Sequence, residues 1–262
     1  CHLSMIETKT ARKIGHLRSE YDGAQDHDYM LRVTELVPRE KIHHVSEILY
    51  HWRKTPNSTA VTTENKSYAV ESGIKCVTDH LKRRKISADV DSINGLTIYE
   101  VDPKIKREPT ISIIIPFKDN AALTESCVYS ILDNTDYSNY NIILVDNWSE
   151  YDPTKEFVQR IKKIDRVTVL RVNEPFNYSR LNNLAVKETT SDYFVFLNND
   201  VLIEQGDWLS RLIGEFRINK SLGAVGCKLL YPNNTIQHAG LAVSPKGIAS
   251  HVMAGLPAND YG

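Results

Sequence analysis

The chain has 262 residues, 41% hydrophobic and 25% charged, with 32 Lys+Arg against 33 Asp+Glu and a net charge of −1. At about 150 residues per domain this is one large domain or two smaller ones with a real core, and the even charge excludes nucleic-acid binding through bulk basicity. No apolar run approaches the ~18–20 residues of a membrane span, and four scattered cysteines without a CxxC pair indicate neither a zinc site nor a disulfide framework. Such cysteine usage reads as a reduced, cytoplasmic setting. The chain opens at Cys1 without an initiator methionine and stops just after a Gly/Pro-containing stretch, so a fragment is expected.

In chain order, Asp26 to Glu35 reads as a short helix, and Ile42 to Trp52 as one or two strands separated by a turn. On such a strand the adjacent His43 and His44 would face opposite ways and could not form one site. Val70, Ile74, Val77 and Leu81 recur at helical spacing and lead into the basic cluster Lys82–Lys85. That cluster reads either as a solvated helix end with favourable dipole placement or as a contact for acidic lipid or phosphate. Residues 86–108 read as a connector with one short strand at Leu96–Val101, punctuated by Pro103.

From Thr110 the rhythm changes. Ile111–Ile115 and Asn141–Val145 are apolar, β-branched runs of the kind buried on both faces of a sheet. Val167–Val172 and Tyr193–Leu197 are two further strands. Between and after them lie helical patterns: Leu123, Cys127 and Ile131; a helix from an Asp152 cap and Pro153 to about Lys163; Tyr178–Lys187; and Trp208, Leu212 and Phe216. Cys127 and Cys227 sit in apolar patterns and are expected in the core. The βαβαβαβ order predicts an α/β fold, Rossmann-like, with a mostly parallel sheet and helices on both faces, preceded by a partial α+β segment.

Ligands of open parallel sheets bind beyond the carboxyl ends of the strands. Pro116, Phe117, Lys118 and Asp119 follow the first strand, Asp146 and Asn147 the second, and Asn198, Asn199 and Asp200 the fourth. Turn and cap roles are the plain alternative for all of them. Asn177, Arg180 and Asn183, after the third strand, divide the same way between ligand contact and helix capping, and His238 between a ligand contact and a turn. The first loop, Phe117–Leu123, has no glycine, so it offers neither a dinucleotide-binding nor a P-loop cradle. A diphosphate on this sheet would need a divalent cation, Mn²⁺ or Mg²⁺, held by a carboxylate such as Asp200.

The set Ile113–Pro116 with Lys118-Asp119, Leu144–Asn147, Pro175–Asn183, Leu197–Asp200 and Thr235–Gly240 resembles family 2 glycosyltransferases of the GT-A fold. The nearest kind is the tandem-domain enzymes of O-antigen, rhamnan and capsule assembly. The resemblance implies that Pro116, Lys118 and Asp146 cradle a nucleotide. The family's D-x-D falls on Asn198-Asn199-Asp200, which leaves Asp200 as metal ligand and Asn199 near the ribose or diphosphate. Gly23–Asp28 with Leu31-Arg32, and Val45–Arg53, resemble the acceptor side of such a domain. There Asp26 maps to the catalytic base, with N-capping as its rival role, and His51 to a position that in some members helps hold metal or diphosphate.

The organisation this implies is 1–85 as the acceptor-side remnant of a first domain, 86–108 as connector, and 109–262 as the nucleotide-sugar-binding part of a second. The implied activity is inverting transfer of a sugar from a nucleotide-diphosphate sugar to a glycan or lipid-linked glycan acceptor, metal-assisted, at the cytoplasmic face of the membrane as a peripheral protein. By itself the fragment is expected to bind donor better than to turn it over. The reading from a different class is a non-catalytic nucleotide- or carbohydrate-binding module on the same scaffold, which Asn198 in place of an acid favours.

Overall fold

The computed structural model describes residues 4–51 and 67–260. They divide into two compact units, Cys1–Lys104 with Arg217–Lys220, and Ile105–Phe216 with Ser221–Gly262.

The first unit holds α1 (Thr8–Ile14), α2 (Gln25–Leu36), α3 (Ser67–Arg83) and an antiparallel hairpin of β1 (Ala88–Ser92) and β2 (Tyr99–Pro103). Of the expected α3 stripe, Val70, Val77 and Leu81 are buried and Ile74 is half-buried; Cys76 is buried as well, and Tyr21 and Ala24 join Cys76, Val77 and Leu81 in one cluster. Ile86, Ala88, Val90, Tyr99 and Val101 pack on that cluster, so the stretch read as a connector carries a two-stranded hairpin rather than a single strand. Its loop places Asn94 and Gly95 at φ +53° and +68°, the residue pair that favours a hairpin reversal. The Tyr99 hydroxyl occupies the space beside Gly73, 1.6 Å from where a Cβ would stand. Gly73→Ala is therefore expected to displace the tyrosine and lower stability by about 1–2 kcal/mol, read from the denaturant midpoint; an unchanged midpoint would show that the ring moves aside freely.

Polar contacts tie the helices together. Asp28, fully buried, takes hydrogen bonds from Arg18 and from Arg32 Nε at 3.0 Å, while Arg32 also donates to the carbonyls of Ile14 and His16. Glu35 on α2 accepts from His80 and Arg83 on α3. Two expectations fail in this unit. Residues 42–51 form no strand, and every one of them is exposed. Their apolar residues, at 42, 45, 48, 49 and 50, share no single alternation along the stretch, so they build no continuous face to bury; the opposite-faces argument for His43 and His44 falls with the strand. Trp52 and Arg53 lie outside the described residues. Asp26 is not an N-cap: Ala24 holds that position, and Asp26 lies in the first turn.

The second unit is a four-stranded parallel sheet in the order β5 (Val167–Arg171), β4 (Tyr140–Asp146), β3 (Ile111–Phe117), β6 (Tyr193–Phe196). β3 is buried at all seven positions, because both of its faces are covered. Ile111, Ile113, Ile115 and Phe117 pack with Ile142 and Leu144 against α4 (Ala121–Asp133), α5 (Asp152–Ile161) and α7 (Trp208–Ile218). Ile114, Ile143 and Val145 pack against Leu181 and Ala185 of α6 (Tyr178–Lys187) on the other face. This is the GT-A-like architecture of a parallel sheet between helices.

Local details correct the sequence reading. On α4 the buried stripe is Thr124, Cys127, Val128 and Ile131, with Leu123 39% exposed. Burial pushes the Cys127 thiol up to about 11, so it stays neutral, whereas Cys227, expected in the core, is exposed. The α5 cap is Tyr151, with Asp152 and Pro153 as its first two helical residues. Past α7 the chain forms two short antiparallel pairs, β7 (Leu229–Leu230) with β8 (Ile236–His238), and β9 (Leu241–Val243) with β10 (Ala249–His251). His238 thus lies on a strand rather than in a turn.

Candidate functional site

Four loops leave the carboxyl edge of the parallel sheet, and hydrogen bonds stitch the first three into one surface. The loop after β3 joins the loop after β4 through Asp119. Its backbone N–H donates to Ser149 Oγ at 2.8 Å, and its Oδ1 accepts from the N–H groups of Glu150 and Tyr151. Asn147 donates its backbone N–H to the Phe117 carbonyl (2.8 Å) and its side-chain amide to the Glu174 carbonyl (2.8 Å), reaching the loop after β5. No glycine is needed to bring these chains together. Asp119 and Asn120 instead adopt φ +48° themselves, a region that Asp and Asn enter more readily than most side chains.

Beneath this surface lies an ion pair set by strand register. Asp146 ends β4 opposite Arg171 on β5, and Arg171 Nη1 donates to Asp146 Oδ2 at 2.8 Å. The other carboxylate oxygen accepts from the Ser149 N–H, and Arg171 Nη2 donates to the Ser149 carbonyl at 2.9 Å. The Asp146 side chain is 3% exposed and that of Arg171 44%, so the guanidinium is the member of the pair that meets solvent. Ser149 and Arg171 were not among the residues expected from sequence.

The remaining expected residues are placed differently from one another. Pro116 and Phe117 are buried, and the Phe117 ring meets Phe157 edge-on in the core (centroids 6.3 Å), so only its backbone can serve a ligand. Asn177 caps α6 by accepting from the Arg180 N–H at 3.0 Å, and Arg180 pairs with Glu174 (Nη2 to Oε1, 2.7 Å). Both therefore perform the capping and loop-closing roles that competed with ligand contact. Asn199 is half-buried and donates to Thr124 Oγ1 of α4 at 3.0 Å. Lys118, Asn198 and Asp200 are presented to solvent. Asp26 and His51 belong to the first unit, where both are exposed. His238 faces His251, Nδ1 to Nδ1 at 2.7 Å.

A cavity of about 340 Å³ runs along α6, lined by Asn177, Ser179, Arg180, Asn183, Leu184 and Lys187. A smaller one of about 130 Å³ lies between α5 and the sheet; Asp146, Ser149 and Arg171 line it, as does Thr154, whose hydroxyl is buried without a partner among the described residues. Asp200 lines neither cavity. Among the described residues no group of three or more His, Cys, Asp or Glu gathers to hold a metal ion. A cation held here by Asp200 would take most of its oxygens from a bound molecule, a common arrangement for Mg²⁺ on phosphates.

Residues 112–238 match the model of glycosyl transferase family 2. Over 252 residues the chain is 37% identical to the uncharacterized protein y4gI of Sinorhizobium fredii, covering 95% of this chain and 28% of that one. Over 257 residues it is 36% identical to the O-antigen biosynthesis protein RfbC of Myxococcus xanthus, covering 98% of this chain and 20% of that one. The chain therefore spans 28% or less of the length of these two relatives. Among solved structures, the mannosyltransferase PcManGT from Pyrobaculum calidifontis in complex with GDP-Man and Mn²⁺ aligns with a TM-score of 0.42 at 20% identity, over 63% of this chain and 46% of that one.

Proposed function

We propose that residues 112–238, which match the model of glycosyl transferase family 2, bind a nucleoside-diphosphate sugar across the carboxyl edge of the parallel sheet. The observation that carries this reading is that edge itself: three loops locked together by Asp119, Asn147 and Arg171, beside a fourth that presents Asp200 to solvent. Asp200 would hold a divalent cation together with the donor's diphosphate oxygens. When bound, the cation neutralises charge that develops on the departing diphosphate. Lys118 and the exposed side of Arg171 add fixed positive charge at the same edge.

The reaction we infer is inverting sugar transfer. An acceptor hydroxyl attacks the anomeric carbon from the face opposite the diphosphate, the bond from that carbon to the diphosphate oxygen breaks, and a carboxylate takes the hydroxyl proton. For the acceptor-side segment, 1–85, the proposed base is Asp26; residues 109–262 would be the donor half of a second domain. The acceptor would be a growing glycan or lipid-linked glycan met at the cytoplasmic face of a membrane. Among the described residues no helix is long and apolar enough to cross one, and any membrane contact in this scheme is peripheral. Asn198 in place of the first acid favours the second reading, a non-catalytic nucleotide-binding module.

Titrating the chain with UDP and dTDP, with and without Mn²⁺, tests the donor site. Binding is expected to strengthen about tenfold or more with the metal. Asp200→Ala should abolish that increment, and Asp26→Asn should leave it intact. Metal-independent binding, or an Asp200→Ala chain that responds to Mn²⁺ as the parent does, overturns the assignment. Transfer that survives Asp26→Asn in the longer polypeptide would remove Asp26 as the base.

A further inference from the structure

The loop after β4 contains a residue whose side chain does not suit its backbone. Trp148 has φ +58°, in the left-handed region where the Cβ of an L-residue crowds the following carbonyl and where a bulky side chain is a genuine outlier. At the same sheet edge the other residues in that region are Asp119 and Asn120, whose short polar side chains tolerate it.

The conformation is imposed from both sides. The Trp148 N–H donates to the Asp146 carbonyl at 3.1 Å, Asn147 before it is bonded to Phe117 and Glu174, and Ser149 after it is bonded to Asp146, Asp119 and Arg171. The fold gains little packing in return, because the tryptophan stays 43% exposed and belongs to neither core cluster of its unit. Backbone strain held in place around an outward-facing ring is the pattern of a residue kept for contact with a ligand.

We propose that Trp148 is the stacking face for the nucleobase of the donor. The inference rests on the reading of this edge as the donor site. Sheet order argues for the base rather than the transferred sugar. β4, whose following loop holds the tryptophan, lies two strands from β6, whose following loop holds Asp200. At the usual strand spacing that is about 10 Å, comparable with the length of a nucleoside between its base and its diphosphate. With the diphosphate at Asp200, the transferred sugar lies beyond it and the base lies back toward β4. Stacking accepts any base because every base has a π-face, and the exposed guanidinium of Arg171 stands at the end of the neighbouring strand.

The test uses Trp148→Asn and Trp148→Phe in the 262-residue chain, titrated in Mn²⁺ with UDP and with inorganic pyrophosphate, which has no ring. Asparagine suits the left-handed backbone, so Trp148→Asn is expected to unfold at the same or a higher denaturant concentration than the parent. Its UDP affinity should fall about tenfold, its pyrophosphate affinity should not change, and Trp148→Phe should retain most of the UDP affinity. The proposal is overturned if Trp148→Asn binds UDP as tightly as the parent, loses UDP and pyrophosphate by the same factor, or unfolds earlier, which would make the ring structural. A parent chain that binds neither compound overturns the donor-site reading, and this inference falls with it.

Discussion

Asp28→Ala is expected to destabilise the first unit by about 3–5 kcal/mol, the cost of stranding buried cationic partners by removing their counter-ion. Asp28 is fully buried, and the Arg18 and Arg32 side chains that bind it are 31% and 11% exposed. Arg32 is further committed to the carbonyls of Ile14 and His16, so it cannot swing out to water without releasing the end of α1. Burial alone would raise the carboxyl's pKa, but hydrogen bonds from Arg18 and Arg32 outweigh it and hold it below the ordinary value. A depressed folded-state value means that this contribution is complete above the unfolded pKa of about 4 and fades as pH falls below it. Denaturant midpoints at pH 7, 5 and 3 should therefore show a large gap between parent and Asp28→Ala that narrows toward pH 3. A gap under about 0.5 kcal/mol at pH 7, the size of an ordinary surface substitution, would remove Asp28 from the list of structural charges. Asp26, two residues earlier and exposed, should show no comparable effect when changed to asparagine.

The contrast between these two aspartates marks how far sequence could reach. Both stand in one short motif, and nothing in their spacing says which is buried; that depends on Arg18, ten residues away, and on the fold of the α1–α2 connection. The parallel sheet was legible because β3 and β4 bury both faces, and a run such as Ile111–Ile115 has no other use at that length. The β1–β2 hairpin was only half legible. Ala88–Ser92 alternates a half-buried side with charged outward residues, which dilutes the apolar signal and leaves the Asn94-Gly95 reversal as the main sign of the hairpin. Residues 42–51 show the converse: β-branched and aromatic residues suggest strands, but their apolar positions keep no common alternation over the stretch, and all ten stay exposed.

At the site, residue types at strand ends were readable, but their contacts were not. Asp146 reads as a ligand-facing carboxylate, yet its side chain is almost fully buried and engaged. Arg171 carries no motif signature at all. Its role comes from the β4–β5 register, which sets it opposite Asp146, and register between neighbouring parallel strands is fixed by tertiary packing rather than by local spacing.

That register makes Arg171→Ala the substitution that should couple fold to function most strongly. Arg171 contributes three contacts: Nη1 to Asp146, Nη2 to the Ser149 carbonyl and Nε to Asn173 Oδ1, at 2.8, 2.9 and 2.9 Å. Its loss leaves the Asp146 carboxylate buried without a cation and unties the loop that bears Ser149. Because the arginine is 44% exposed, water can reach part of the vacated space, so the expected cost is about 2–3 kcal/mol, below that of a fully buried pair. Arg171→Lys restores the charge without the planar fork that serves Asp146 and Ser149 together, and should recover less than half of the loss. If the donor lies across this edge, UDP affinity should fall about tenfold in Arg171→Ala at a temperature where the variant is still folded, because Ser149 also anchors Asp119 and the loop after β3. Stability and affinity should then fall together in Arg171→Ala, whereas Asp200→Ala should lose metal-dependent affinity with its stability unchanged. An Arg171→Ala chain of lower stability and intact UDP affinity would make the Asp146–Arg171 pair a purely structural element and move the donor toward β6.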